Sequence, residues 1–295
     1  MVVINFNKND LIKSPMNYIG NKYKLLPQIL ERFPSKIKTL YDAFGGGGTI
    51  SLNTKAEHIY YNDIVNYVGN MFSDLQDESI EIALNKIHNI INTYELSKTN
   101  LEGFNKLRQD YNNGNKSWDM FYVLMCYSFN NQYRFNNNHD YNSSFGWYKS
   151  CYSQRTEDKF IKFMKKLHGL EIMFDCKDFR DVDYSKANKN DLVYLDPPYL
   201  ITTGNYNDGK RGFKGWNESD EKDLLSLCDR LDEQGTRFAL SNVFECKGKS
   251  NDILKKWSSK YRLAYLNSDY SNCNYHKKDR SKNNTVEVLI INYKY

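Results

Sequence analysis

The chain has 295 residues, of which 40% are apolar and 26% charged, which excludes a disordered protein and gives enough length to bury a full core without staples. No apolar run approaches the ~20 residues needed to span a bilayer, and Lys8, Asp10 and Lys13 break the N-terminal stretch where a secretion signal needs apolar residues. The net charge of +5 is a mild excess that permits a polyanionic partner without demonstrating one. Six scattered cysteines (Cys126, Cys151, Cys176, Cys228, Cys246, Cys273) contain no C-x-x-C pair, so no disulfide framework and no metal site are expected, and a reducing cytoplasm suits them.

In chain order, residues 21–33 read as a helix ended near Pro34. Residues 38–43 (KTLYDA) read as a short buried strand running into FGGGGT. A short helix follows, then a strand at 58–62 (HIYYN) that ends in Asp63. Strand, glycine loop, helix and strand in that order open a doubly wound α/β domain. From 76 to 129 the pattern turns helical, with Ile80, Leu84, Ile87 and Ile91 at helical spacing, and 117–129 reads as a buried helix. Residues 130–156 are polar and aromatic without clear periodicity. A helix at 157–168 follows, then strands at 171–175, 191–195, 236–241, 262–266 and 285–293, with a helix at 218–232. An α/β sheet is thus split by an insertion at roughly 76–156. Unstructured loops beyond ~12–15 residues are uncommon and usually functional or disordered. The aromatics of 130–156 (Tyr133, Phe135, Tyr141, Phe145, Trp147, Tyr148, Tyr152) speak against disorder and make it a candidate binding element.

Gly45 to Gly48 follow a strand and precede a helix, where glycine allows positive φ and close approach of the backbone to a ligand. The spacing is not the dinucleotide G-x-G-x-x-G, and no P-loop sequence is present. With Asp63 ending the next strand, the loop suits an adenosine-containing cofactor or, equally, a tight turn with no ligand.

LDPPYL is the strongest local signal. Two prolines after the apolar strand 191–195 cannot continue a central ladder, so Asp196-Pro197-Pro198-Tyr199 form a stiff turn at the carboxyl edge of the sheet, where open α/β sheets bind ligands. Such a turn suits an exocyclic amine on a planar base. The Asp196 side chain and the Pro197 carbonyl accept its two N–H groups and localise the nitrogen lone pair, while Tyr199 stacks on the ring. The amine then attacks an electrophilic methyl group in one displacement, the new N–C bond forming as the bond from the methyl carbon to its leaving group breaks.

With these motifs in place, the sequence resembles the adenine-specific DNA N6-methyltransferases of the Dam type, over nearly the whole chain and in the same order. SPMNYIGNK is similar to the N-terminal cofactor motif, YDAFGGGGT to the cofactor loop, NQYRFNNN…DYNSSFGWY to the DNA-recognition segment and LDPPY to the catalytic motif; FALSNV and TVEVLIINY resemble the late strands. The resemblance implies a Rossmann-like sheet of an S-adenosylmethionine-dependent methyltransferase with an inserted, mainly helical DNA-recognition domain. The catalytic domain would be discontinuous (1–75 and 157–295), and 76–156 would recognise the target. It implies cofactor contacts at Tyr18, Lys22, Phe44, Gly45, Gly47, Asp63, Asp178, Phe179 and Asp196, and catalytic roles for Asp196, Pro197 and Tyr199. The partner implied is double-stranded DNA, and the sequence leaves open whether a separately encoded restriction endonuclease accompanies it; the chain is expected to be a cytoplasmic monomer. GATC specificity is not carried over, because NNNHDYN stands where the GATC-recognising members have a basic residue and glycine.

The target adenine must leave the base stack to reach Asp196, so groove contacts are needed. Arg134, Asn136, Asn138 and Tyr141 are the candidates in the insertion, Arg134 first; its alternative is an exposed arginine paired with Asp140. Residues 237–282 hold eleven Lys+Arg against four acids, and this basic third, with Lys277 and Lys278, is a candidate phosphate-binding surface or simply a solvated face. Methylation of cytosine N4, RNA adenine or a protein glutamine remains open as an alternative, as does a silent DNA-binding module. Cytosine C5 chemistry is disfavoured because it needs a thiolate and no Pro-Cys occurs; a nicotinamide oxidoreductase leaves DPPY unexplained.

Overall fold

The computed structural model describes residues 10–18, 20–114, 116–202, 215–267 and 285–294. A 3-10 turn at Lys22–Lys24 leads into α1 (Leu26–Leu30), β1 (Thr39–Asp42), α2 (Thr49–Asn53) and β2 (His58–Asn62). The helical stretch is α3 (Asn66–Gln76), α4 (Ile80–Thr93), α5 (Leu101–Asn113), α6 (Trp118–Tyr127) and α7 (Gln154–Leu167). Then come β3 (Ile172–Asp175), β4 (Leu192–Leu195), α8 (Glu218–Glu233), β5 (Arg237–Cys246), β6 (Lys249–Ser250), α9 (Asp252–Ser258), β7 (Arg262–Leu266) and β8 (Thr285–Ile291).

The protein is a mixed α/β structure. Seven strands lie in the order β3-β2-β1-β4-β5-β8-β7, and β6 pairs with the end of β5. The pairs β1–β2, β2–β3, β1–β4 and β4–β5 are parallel, while β8 runs antiparallel to both β5 and β7. All four residues of β4 are buried, as a strand covered on both faces requires. Its pleat feeds two cores: Leu192 and Tyr194 join one, Val193 and Leu195 the other. The strand order reverses between β1 and β4, so their carboxyl ends open a crevice at the edge of the sheet.

Several expected elements change. One helix over 21–33 is interrupted, because Pro27 has no N–H to continue a ladder; it sits instead in the first turn of α1. Helices α3 and α9 were not expected. Strand β5 runs on to Cys246, past the expected end at 241. Helix α7 starts at Gln154, so a boundary at 156/157 falls inside it, and 75/76 falls in the last turn of α3. The inserted helices have no separate core: Ile87, Phe104 and Phe121 belong to the same cluster as Leu40 and Ile59 of the sheet.

Residues 130–156 are anchored. Bridges link Ser128 to Phe145 and Phe135 to Tyr141, and Phe135 stacks on Tyr67 of α3 at 3.8 Å between ring centroids. Tyr141 corrects its sequence assignment: it is a core residue, 1% exposed, packed edge-on to Phe135 and Tyr111, with its hydroxyl 2.7 Å from Ser128 Oγ. An aromatic ring sealed in that way cannot reach DNA. Among the described residues, no helix is long and apolar enough to cross a membrane.

Candidate active site

Four glycines turn the chain from β1 into α2. Gly46 and Gly48 hold φ of 50° and 71°, the left-handed region that side chains disfavour. Gly45 needs its missing side chain for another reason: a Cβ there would lie 2.1 Å from Cε2 of the buried Tyr61. The loop is then clamped from β2. Asn62 O accepts from Gly45 N at 2.7 Å, the Tyr61 hydroxyl donates to Gly46 O at 2.7 Å, and Asp63 Oδ2 accepts from Gly46 N at 2.7 Å. Asp63 Oδ1 accepts from Val65 N at 2.8 Å, so its carboxylate is fixed on the pocket wall. Gly45→Ala is expected to displace Tyr61 and lower stability by about 1–3 kcal/mol, the usual cost of overpacking. Urea melts should show a lower midpoint at unchanged slope; an unshifted midpoint would mean the loop relaxes freely.

Asp42, the last residue of β1, lies behind this loop and is buried. Burial pushes its carboxyl up to about 7, against the Ser51 hydroxyl bond at 2.6 Å, with Asp196 and Asp63 adding repulsion.

Asp196 follows β4 directly, and the Pro197-Pro198 pair stiffens the exit. Lys22 Nζ stands 2.9 Å from Asp196 Oδ2, and the Tyr199 hydroxyl donates to Oδ1 at 3.1 Å. The same ammonium lies 5.0 Å from the centre of the Tyr199 ring and donates to Gly20 O at 3.2 Å. Lys22 is only 7% exposed, and Asp196 16%. Lys22 is therefore a buried counter-ion to Asp196. Burial raises the Asp196 carboxyl above the usual carboxylate range, and Lys22 opposes that rise.

On the far side, Phe44, Phe179 and Trp216 form an aromatic wall with centroids 5.3 to 5.9 Å apart. Asp178 is held by Arg180, whose Nη1 is 3.0 Å from both carboxylate oxygens; Arg180 also covers the Phe179 ring at 4.5 Å. Trp216 was not found from the sequence, where it has no motif around it. Its indole donates at 2.7 Å to Glu221 of α8, a buried carboxylate that also accepts from Asn242 and Asn251. Burial raises the Glu221 carboxyl, and those three donors oppose it.

Every cofactor and catalytic residue named from the sequence lines one cavity of about 750 Å³, from Tyr18 on its N-terminal wall to Tyr199. That lies within the roughly 300–1,000 Å³ typical of ligand sites. The insertion reaches the cavity through Gln132 and Tyr133. Arg134 and Asn138 are outside it and exposed, and no ion pair among the described residues engages Arg134; Asp140 instead faces Lys116 at 3.9 Å. Asn136 is spent on a turn, its Oδ1 accepting from the N–H groups of Asn138 and Asp140 at 2.9 Å each. Lys277 and Lys278 lie outside the described residues.

Comparison with known proteins gives the family. Residues 18–272 match the profile of the D12 class N6 adenine-specific DNA methyltransferases. The Type II methyltransferase M.FokI of Planomicrobium okeanokoites is 45% identical over 285 residues, covering 97% of this chain and 43% of that protein. Modification methylase StsI of Streptococcus sanguinis is 43% identical over 284 residues, covering 96% and 43%. A DNA adenine methylase of Vibrio cholerae is 25% identical over 233 residues, covering 77% and 80%. The chain thus spans less than half the length of the first two relatives. By profile and by identity, the chain belongs to the D12 class of N6 adenine-specific DNA methyltransferases.

Proposed function

We propose that the chain transfers a methyl group from S-adenosylmethionine to the N6 amine of a flipped-out adenine in a short duplex motif, as the modification activity of a type II restriction–modification system. The observation that carries this reading is the ion-paired Asp196, presented with Tyr199 on the wall of the cavity that also holds the glycine loop. S-adenosylmethionine, when bound, supplies an electrophilic methyl group for direct displacement.

The residues suit that cofactor. Phe44, Phe179 and Trp216 offer an aromatic slot for a purine. Asp63, held by two backbone N–H groups, presents a fixed carboxylate to ribose hydroxyls. Tyr18 and Lys22 close the N-terminal side over the loop of Phe44, Gly45 and Gly47. Asp178 acts from within its arginine chelate, positioning Phe179 more than touching the ligand.

A stacked base cannot reach Asp196, so the adenine is rotated out of the duplex. Asp196 and the Pro197 carbonyl then accept its two N–H groups, and Tyr199 stacks on the ring. The sheet with its flanking helices forms a Rossmann-like catalytic unit, and the inserted segment around 76–156, which shares its core with that unit, recognises the target, Arg134 and Asn138 being the exposed side chains able to read base edges. The partners are duplex DNA and a separately encoded endonuclease, with the chain acting as a cytoplasmic monomer.

The test is incubation of the purified chain with tritiated S-adenosylmethionine and unmethylated duplex DNA, followed by nucleoside mass spectrometry. N6-methyladenine at one short motif is the expected result. Label in N4-methylcytosine, label only in RNA, or no label would overturn the reading.

A further inference from the structure

The parallel strands β4 and β5 align Leu195 with Leu240, and the chain leaves β4 at Asp196. Strand β5 does not stop there. It continues to Cys246, some 20 Å further at about 3.3 Å per residue, beyond the carboxyl edge where Asp196 sits. It then reverses into β6 through a two-residue turn, with Cys246 opposite Lys249. Lys247 and Gly248 have φ of 51° and 80°, the paired positive values of a type I′ turn. That turn favours Asn, Asp or Gly at its first position, and a lysine there is held against its preference.

The tip presents Lys247 and Lys249, both exposed and both lining the cavity that holds Asp196 and Tyr199. No ion pair among the described residues engages either lysine. The neighbouring acids are occupied: Glu245 is paired with Lys255 at 2.6 Å, and Asp252 accepts from the Ser250 hydroxyl at 2.6 Å. Glu287, on the same cavity wall, is buried on β8 in register with Val243, deeper than the tip. Two exposed lysines with no ion pair among the described residues therefore line the cavity that a flipped base must enter.

We propose that the Lys247-Gly248-Lys249 turn is a backbone clamp, its two ammonium groups binding the DNA phosphates that flank the flipped adenine. The clamp rests on the methyltransferase reading above. Flipping turns a nucleotide about its own backbone, so the adjoining phosphates follow it to the pocket mouth. A rigid turn with fixed positive charge meets them there without ordering a flexible arm.

The test variant is Lys247→Asn with Lys249→Gln, which removes both charges while Asn-Gly, the preferred type I′ pair, secures the turn. Methyl transfer to unmethylated bacterial genomic DNA is measured with tritiated S-adenosylmethionine across a series of KCl concentrations. Each lost phosphate contact should reduce the slope of log affinity against log salt by about 0.9, so the slope should flatten by about 1.8. The same slope gives a KM for DNA raised roughly 60-fold at 0.1 M salt, with the difference vanishing near 1 M. The charge-keeping pair Lys247→Arg with Lys249→Arg should retain the wild-type slope. S-adenosylhomocysteine affinity matching wild type, read by calorimetry, confirms that the variant is folded. A folded variant with wild-type slope and KM overturns the clamp alone. A wild-type chain that transfers no methyl group to DNA overturns the function beneath it.

Discussion

Asp196→Asn should lower kcat for methyl transfer on the order of 10³-fold while leaving the fold intact, and Asp196→Ala should do so with an added loss of stability. The first figure is the scale of removing a group that meets charge developing in the transition state. The separation between the two variants comes from Lys22. Its ammonium is buried 2.9 Å from Asp196, so alanine leaves it without a counter-ion, a fault that costs about 3–5 kcal/mol at buried pairs. Asparagine still offers Oδ1 to the ammonium. Thermal melts and single-turnover methylation of both variants check the claim, and substantial turnover in Asp196→Asn would remove the carboxylate from the mechanism.

Lys22→Met should disable the enzyme in a way that pH reverses. Burial already raises the Asp196 carboxyl, and Lys22 is the largest influence opposing it. Without that cation the carboxyl takes up a proton at still higher pH. Below the new midpoint the ionised fraction falls about tenfold per pH unit, and a neutral carboxyl is a weaker acceptor for the N–H of the amine that Asp196 shares with the Pro197 carbonyl. The acid limb of the rate profile should therefore move to higher pH, with activity recovering toward alkaline conditions. Stability should run the other way. A carboxyl with a raised folded value binds more protons in the native state than in the unfolded one, so the variant's melting point should fall as pH rises through that value. Rising activity with falling stability over one pH window is the signature; a uniform loss of rate at all pH values would make Lys22 a packing residue only.

The sheet edge was legible in the sequence because it is written locally. Pro197-Pro198 after LVYL can be little else than an exit from a buried parallel strand, and the FGGGG run can be little else than a tight turn. The partner of Asp196 was not legible by proximity, since Lys22 lies far from it in sequence, near the start of the chain; only the resemblance placed it near the cavity. Trp216 carried no local signal at all, because what fixes it is Glu221 on α8, itself held by Asn242 and Asn251. Tyr141 was misread for the opposite reason. A ring among asparagines reads as exposed, yet two bridges fold that segment so that its rings pack on Tyr111 and Tyr67. Helix α3 has a proper apolar stripe (Val68, Met71, Phe72, Leu75), but it opens at Val65 without a side-chain cap, so nothing marked its start.

The position of β8 has a consequence for how the chain matures. It lies between β5 and β7, although it follows both in sequence. A chain synthesised only as far as β7 can assemble β3-β2-β1-β4-β5, but the outer edge of β5 then stays bare, and β7 lacks the neighbour it pairs with. The same delay leaves both cores open, since Leu289 and Ile291 fill one and Val288 and Ile290 the other. The nascent protein therefore passes through a stage with an unpaired hydrophobic edge on an otherwise formed sheet. That is the stage at which it is most prone to edge-to-edge aggregation, and the arrival of one strand ends it.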